Sequence, residues 1–349
     1  MIPSAVHPFR WRATASWLGA LLGAASLQAS EDLCLPTGND YIFSKHPERF
    51  YMHVDRIFEG EASKPWTGGC YGYVRNLRRI DEDTVVPTRL HEGIDIKPLK
   101  RDSKNRALDK IGSISAGKVV HVNDNPGKSN YGKYVVVEHD WENTKVYSLY
   151  AHFAKITCKV GQKVKAGDEL GVMGDTGRGL PRERAHLHLE LNLLMSPRYD
   201  EWARKRQMVN HHGKYNGINL TGCDIAAFYL EKRKNPELKF SEFVASQPVH
   251  FKVVTPFKGT PDFVERYPWI CHGDLAGAQS WEISFSATGF PVAFEPSKKK
   301  VGGTYVTSIR PSKKVPHQYL TRWLISGIDN KASLNAGGKN LIELLMGDF

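Results

Sequence analysis

Eight consecutive residues alternate between polar and apolar without a break: His186-Leu187-His188-Leu189-Glu190-Leu191-Asn192-Leu193. A strand sends successive side chains to opposite faces, so this pattern predicts a β-strand with His186, His188, Glu190 and Asn192 on one side. The four leucines fill a core on the other. Shorter β-prone runs precede it at residues 134–138, 145–150 and 169–173, bracketed by the turn sequences Asp124-Asn125-Pro126-Gly127 and Gly174-Asp175-Thr176-Gly177. From about residue 66 to 194 the pattern therefore predicts antiparallel sheet. Ser196-Pro197 reads as a helix start leading into residues 200–208, and residues 224–232 read as another helix. From about residue 239 a separate tract begins. There Trp281, Ile283 and Phe285 alternate with Glu282, Ser284 and Ser286 ahead of a Thr288-Gly289 turn. Residues 316–325 and 340–346 read as helices, the first closed by Gly327. The fold class is mainly β, followed by an α+β extension that carries no catalytic constellation of its own.

Composition changes this picture only at the edges. The chain has 349 residues, 41% hydrophobic and 24% charged, enough for one large domain or two modest ones. A net charge of +11 favours an acidic partner. The excess is spread along the chain, and short runs such as Lys298-Lys299-Lys300 and Lys313-Lys314 read as solvated faces. No aromatic-and-basic module accompanies them, so nucleic acid is not an expected partner. Anionic wall polymers or a membrane surface suit the charge.

The first residues give a direction. Arg10 and Arg12 precede an apolar run over residues 13–27, small residues crowd its end, and Glu31 and Asp32 follow. That order describes a secretory signal peptide over residues 1–30, with a lead-in segment over 31–65. The run falls short of the roughly 20 apolar residues of a comfortable span, so no stable membrane span is expected after processing. The protein is expected to be exported, to the periplasm or outside the cell. Cys34, Cys70, Cys158, Cys223 and Cys271 have room for at most two disulfides after export, and their scattered spacing matches no cysteine-ligated zinc pattern.

Two stretches carry chemistry. The alternating strand needs polar residues on its outer face, but it does not need two histidines there. The second stretch is His91-Glu92-Gly93-Ile94-Asp95-Ile96, where Gly93 and the β-branched Ile94 and Ile96 favour extended backbone. His91 and Asp95, four apart, then share a face. One carboxylate and two imidazoles would give three metal ligands and leave a fourth position open, the arrangement of a catalytic zinc site. A further histidine, His152, follows the β-prone run in Tyr150-Ala151-His152-Phe153. Glu190 reads as a supporting or surface group. His121, His139, His211 and His212 read as surface or loop histidines, with His211 or His212 able to line a groove.

Together these stretches resemble the lysostaphin-like family of zinc metallo-endopeptidases, which cleave peptidoglycan peptides. The family has His-x-x-x-Asp, a Tyr-x-His segment and His-x-His in a leucine-rich strand, in the order found here. The segment from Val160 through Gly161, Gly167 and Gly171 resembles the family's glycine turns, and Tyr71-Gly72-Tyr73-Val74-Arg75 resembles its upstream Gly-x-x-Arg segment. Asn216-Gly217-Ile218-Asn219 and the helix after it resemble the segment that closes the domain. The likeness covers residues 66–233 and leaves 234–349 as an extension of unknown role. It implies an antiparallel β domain with an open groove, one zinc per chain held by His91, Asp95 and His188, and catalytic roles for His152 and His186. It also implies a peptidoglycan peptide substrate. The alternative is a non-catalytic wall-binding or regulatory module on the same fold. Three departures bear on specificity: a basic approach, Pro181-Arg182-Glu183-Arg184-Ala185, an expanded stretch at 97–113, and an insertion at 195–214.

Overall fold

The computed structural model of the protein describes residues 33–349, so the export signal expected over residues 1–30 lies outside the described residues. A short hairpin, β1 (Arg56–Phe58) with β2 (Glu61–Ser63), is followed by a longer one, β3 (Gly72–Arg79) with β4 (Val85–His91). Next come β5 (Ile94–Ile96), β6 (Lys110–Gly112), β7 (Gly117–Asn123), β8 (Tyr134–Trp141) and β9 (Thr144–Ala151). They are followed by β10 (Phe153–Ile156), β11 (Lys163–Val164), β12 (Glu169–Met173) and β13 (Leu187–Leu194). Helix α1 (Tyr199–Lys205), strand β14 (Leu220–Cys223) and helix α2 (Ile225–Lys234) complete this part.

The main sheet runs β11-β7-β8-β9-β13-β14, all antiparallel, with β5 pairing the first half of β13 on the edge that β14 takes further along. A three-stranded sheet, β10-β12-β6, lies beside it. The mainly antiparallel β class read from the periodicity is what the chain adopts. Leu187, Leu189, Leu191 and Leu193 are all fully buried, in one core with Ile111, Phe153, Met173 and Phe228. The opposite face of β13 departs from the expected half-solvated strand: His188, Glu190 and Asn192 are buried as well, at 6%, 1% and 0% exposure. Buried polar groups require partners, and the network they form is the site described below.

Residues 234–349 add α3 (Phe240–Ala245), β15 (Phe251–Pro256), α4 (Asp262–Arg266), β16 (Ser280–Phe285), β17 (Pro291–Ser297) and β18 (Tyr305–Ile309). Their sheet runs β17-β16-β15-β18. The apolar core continues into it through Phe240, Phe251, Phe263, Trp281 and Phe294. The extension also grips the end of β13: the Leu194 amide donates to the Tyr267 hydroxyl at 2.9 Å, and Arg266 donates to the carbonyls of Leu194 and Met195.

Two local expectations change. Residues 316–325 hold only a single 3-10 turn, His317–Tyr319, and then β19 (Ile325–Ser326), which pairs with β20 (Ser333–Leu334). Arg322 and Trp323 there have φ of 52° and 60°, which no helix tolerates. The last helix, α5 (Ala336–Met346), starts earlier than residue 340 because the Asn335 side chain accepts from the Gly338 amide and caps it. Among the described residues no disulfide forms; the Cys34 thiol instead donates to the Ser113 carbonyl. No helix of the described residues is long and apolar enough to cross a membrane.

One glycine couples fold to site. A Cβ on Gly93 would lie 2.2 Å from the Leu189 carbonyl oxygen, so β5 reaches β13 only without a side chain there. Gly93→Ala is expected to cost about 1–3 kcal/mol by overpacking and to weaken metal binding, because it pushes Asp95 away from His188. Denaturant unfolding and zinc titration of the variant check both effects.

Candidate metal centre

The antiparallel register sets Asp95 of β5 directly opposite His188 of β13. His91, the last residue of β4, arrives from the adjoining turn. His186 sits just ahead of β13, bridged to Gly174, and His152 follows Ala151, whose partner in the ladder is His188. His152 adopts φ of 67°, a left-handed conformation uncommon for a residue with a side chain. That turn interrupts β9 and β10 and brings its ring to 4.7 Å from the His186 ring, centre to centre. All five predicted site residues therefore meet at one place, on the floor of a groove of about 660 Å³.

The hydrogen bonds fix which ring nitrogen points inward. His91 donates from Nδ1 to the Cys70 carbonyl at 2.8 Å, and His188 from Nε2 to Glu190 Oε1 at 2.8 Å. Likewise His152 Nδ1 donates to the Thr176 carbonyl at 2.7 Å and His186 Nδ1 to the Arg184 carbonyl at 2.6 Å. Each ring thus spends its proton on an outer acceptor and turns a lone pair inward, the orientation seen for histidines held ready for a metal. The inward atoms crowd together. His91 Nε2, His188 Nδ1 and Asp95 Oδ1 are mutually 3.0 Å apart, and His186 Nε2 is 3.2 Å from the same oxygen. Acceptors do not gather in a buried site unless a proton or a cation lies between them. The donor set and spacing suit one small cation at bond lengths of about 2.0–2.2 Å, and His91, Asp95 and His188 form the metal-competent group.

The outer shell is equally committed. Arg75 donates to Asp95 Oδ2 at 2.5 Å, leaving Oδ1 to face the histidines. Glu190 Oε1 also accepts from the Tyr131 hydroxyl at 2.7 Å, and its other oxygen accepts from Asn192 at 3.1 Å. Burial would raise the Asp95 pKa, yet His186, His91 and Arg75 hold the carboxyl well below its usual range. Burial pushes His91 and His152 down, so both rings are neutral near neutral pH. His188 goes the other way. Burial lowers its pKa, but Asp95 and Glu190 outweigh it and raise it to about 9. The divergence between the two facing rings has a plain cause: His188 lies between two carboxylates, whereas at His91 burial outweighs the single carboxylate of Asp95.

In the metal-free protein the raised pKa favours a proton on the inward nitrogen of His188 near neutral pH, and a metal bound there would take that lone pair in its place. Zinc added at that pH is expected to displace about one proton per chain, read by calorimetry in buffers of different ionisation enthalpy. The released fraction should vanish above about pH 9. A group whose pKa rises on folding stabilises fully below its unfolded value, about 6.5. Metal-free protein should accordingly lose that stability as pH climbs towards about 9.

Other residues fall where the sequence left them open or unseen. His211, His212 and Arg184 line the groove, whereas Arg182 is exposed beside Asp175, outside it. His139 is fully buried rather than on the surface, bonded to the Ala116 carbonyl and the Ser148 hydroxyl, with its pKa lowered to about 4 by burial. His121 packs against Tyr134 and His212. Tyr131, Arg89 and Arg322 also line the groove and carried no sequence signal, since their places depend on long-range packing. Arg322 comes from the extension and pairs with Glu92 at 3.0 Å.

Residues 89–200 match the model of peptidase family M23. Over these residues the chain is similar to an M23 peptidase domain. Among similar proteins, the peptidoglycan DD-endopeptidase ShyA of Vibrio cholerae is 45% identical over 60 residues, covering 17% of this chain and 13% of that one. A lipoprotein NlpD/LppB homolog of Pseudomonas aeruginosa is 31% identical over 96 residues, 26% of this chain and 29% of its own. The chain thus spans under a third of the length of these curated relatives. The catalytic domain of lysostaphin from Staphylococcus simulans aligns over 48% of this chain and 96% of that one, at 19% identity and a TM-score of 0.28. The M23 match takes in His91, Asp95, His152, His186 and His188, the residues converging on the groove floor.

Proposed function

We propose that this protein is an exported zinc metallo-endopeptidase that hydrolyses peptide crosslinks of bacterial peptidoglycan. The observation that carries the reading is the convergence of inward-facing lone pairs from His91, Asp95 and His188 beside His152 and His186, in a domain of a peptidase family. The catalytic unit is taken to span residues 66–233, with 234–349 as an extension.

His91, Asp95 and His188 would hold one zinc per chain, and zinc bound there would supply a Lewis acid that acidifies water and polarises a carbonyl. Every other task falls to the chain. His152 and His186 are oriented by the Thr176 and Arg184 carbonyls, so each presents Nε2 to the groove. A neutral imidazole in that position accepts the proton that attacking water gives up. Once protonated, it donates to the leaving amine, and its neighbour can donate to the oxyanion that develops on the scissile carbonyl. The left-handed turn at His152 holds its ring close to His186 without a flexible loop. A non-catalytic module would have no use for lone pairs aimed from four histidines and a carboxylate at one point.

Zinc-loaded full chain incubated with crosslinked peptidoglycan should release fragments, each bond broken yielding one new amine and one new carboxyl, identified by liquid chromatography and mass spectrometry. Chelation should stop the release. Intact crosslinks after prolonged incubation with zinc-loaded, folded protein would overturn the reading.

A further inference from the structure

The groove's charges do not balance. Arg75, Arg89, Lys128, Arg178, Arg184 and Arg322 line it against two acids, Glu92 and Asp95. Both acids are already engaged, Asp95 by Arg75 and Glu92 by Arg322. Arg184 is tethered through Nε to the His53 carbonyl at 3.0 Å and lies 3.9 Å from Asp55. Arg89, Lys128 and Arg178 have no acidic partner among the described residues.

Arg89 is the most informative of these. The β3–β4 register places it directly opposite Arg75, and like charges opposed across strands destabilise a sheet. The cost is offset for Arg75 by Asp95, whereas Arg89 is exposed and has only solvent for a partner. Two residues before His91 on the same strand, Arg89 shares the face of that ligand at a spacing of about 7 Å. Arg75, Arg89 and Arg184 also line a second trough, of about 470 Å³, that continues the groove past the metal centre towards Asp55 and Arg56. A substrate lying along both troughs must pass Arg89.

We propose that Arg89 is a specificity-determining residue that binds a free carboxylate on the substrate peptide, close to the cleaved bond, where the two troughs meet. The inference rests on the endopeptidase reading and deepens it by naming the substrate class as an acidic peptide. A guanidinium presents a planar fork that matches a carboxylate with two parallel hydrogen bonds. An unneutralised arginine lining the groove two residues from His91 therefore selects that group over its amide.

The test uses two crosslinked peptides that differ only in whether the carboxyl next to the cleaved bond is free or amidated. Zinc-loaded full chain is expected to favour the free acid by about tenfold or more in kcat/KM, equivalent to about 1.4 kcal/mol, with the difference carried mainly by KM. Arg89→Gln should bring the ratio close to one, and Arg89→Lys should restore part of it. Lys313→Gln, the same charge change on the exposed surface of the extension, should keep the wild-type ratio. The preference should also shrink as salt rises. A wild-type ratio of one, or a ratio that Arg89→Gln leaves unchanged, overturns the proposal. If neither peptide is cut, calorimetry with each decides separately. Tighter, Arg89-dependent binding of the acid supports the subsite and places the failure on the endopeptidase reading. Equal or absent binding overturns the subsite too.

Discussion

Asp95→Asn is expected to leave the protein without bound zinc after dialysis and to lower hydrolysis on the order of 10³-fold or more, the loss of a Lewis acid worth several kcal/mol. The substitution preserves shape and removes charge. Asp95 Oδ1 is the atom on which His91, His186 and His188 converge, at 3.0, 3.2 and 3.0 Å. An amide there has no charge to hold a cation and leaves the Arg75 guanidinium without its buried partner. Such an unpaired charge is costly, so the variant should also unfold at lower denaturant. Elemental analysis, rate measurement and far-UV dichroism on the same preparation separate loss of metal from loss of fold. Full zinc occupancy with an unchanged rate would remove Asp95 from the ligand set.

His186→Ala should behave differently. Its Nε2 faces the groove, but the three-atom set of His91, Asp95 and His188 is complete without it. Zinc content is expected to stay near that of the wild type, while kcat falls by about 10²–10⁴-fold, the range for removing a general acid–base or oxyanion partner. His152→Ala should fall in the same range for the same reason. The double variant should cost much less than the product of the two, because the pair acts as a unit. Loss of zinc in His186→Ala would instead make it a ligand.

Much of this site is legible in the sequence because it rests on local pattern. Strict alternation over 186–193 places His188 and Glu190 on one face of β13, and four residues of extended backbone place Asp95 on the face of His91. What the pattern cannot convey is the depth of burial. Glu190 and Asn192 look like solvent-facing residues in a two-period strand, yet both are buried, because a groove floor and its supporting hydrogen bonds cover that face. The helix expected over 316–325 fails for a related reason. Its apolar spacing is genuine, but Arg322 and Trp323 take left-handed backbone, and Arg322 there pairs with Glu92 at the groove rim. Arg75 was visible only as part of a short motif, while its bond to Asp95 depends on the β3–β4 hairpin folding back over β5. The extension, read as carrying no catalytic constellation, supplies no ligand but anchors the end of β13 through Tyr267 and Arg266.

The most direct test is a titration of metal-free full chain with zinc, following peptide release from crosslinked peptidoglycan at each addition. Activity should rise from the background level in proportion to added zinc and break at one equivalent per chain, the stoichiometry of a single three-ligand site. Hydrolysis by the metal-free protein, or none at full occupancy, would contradict it.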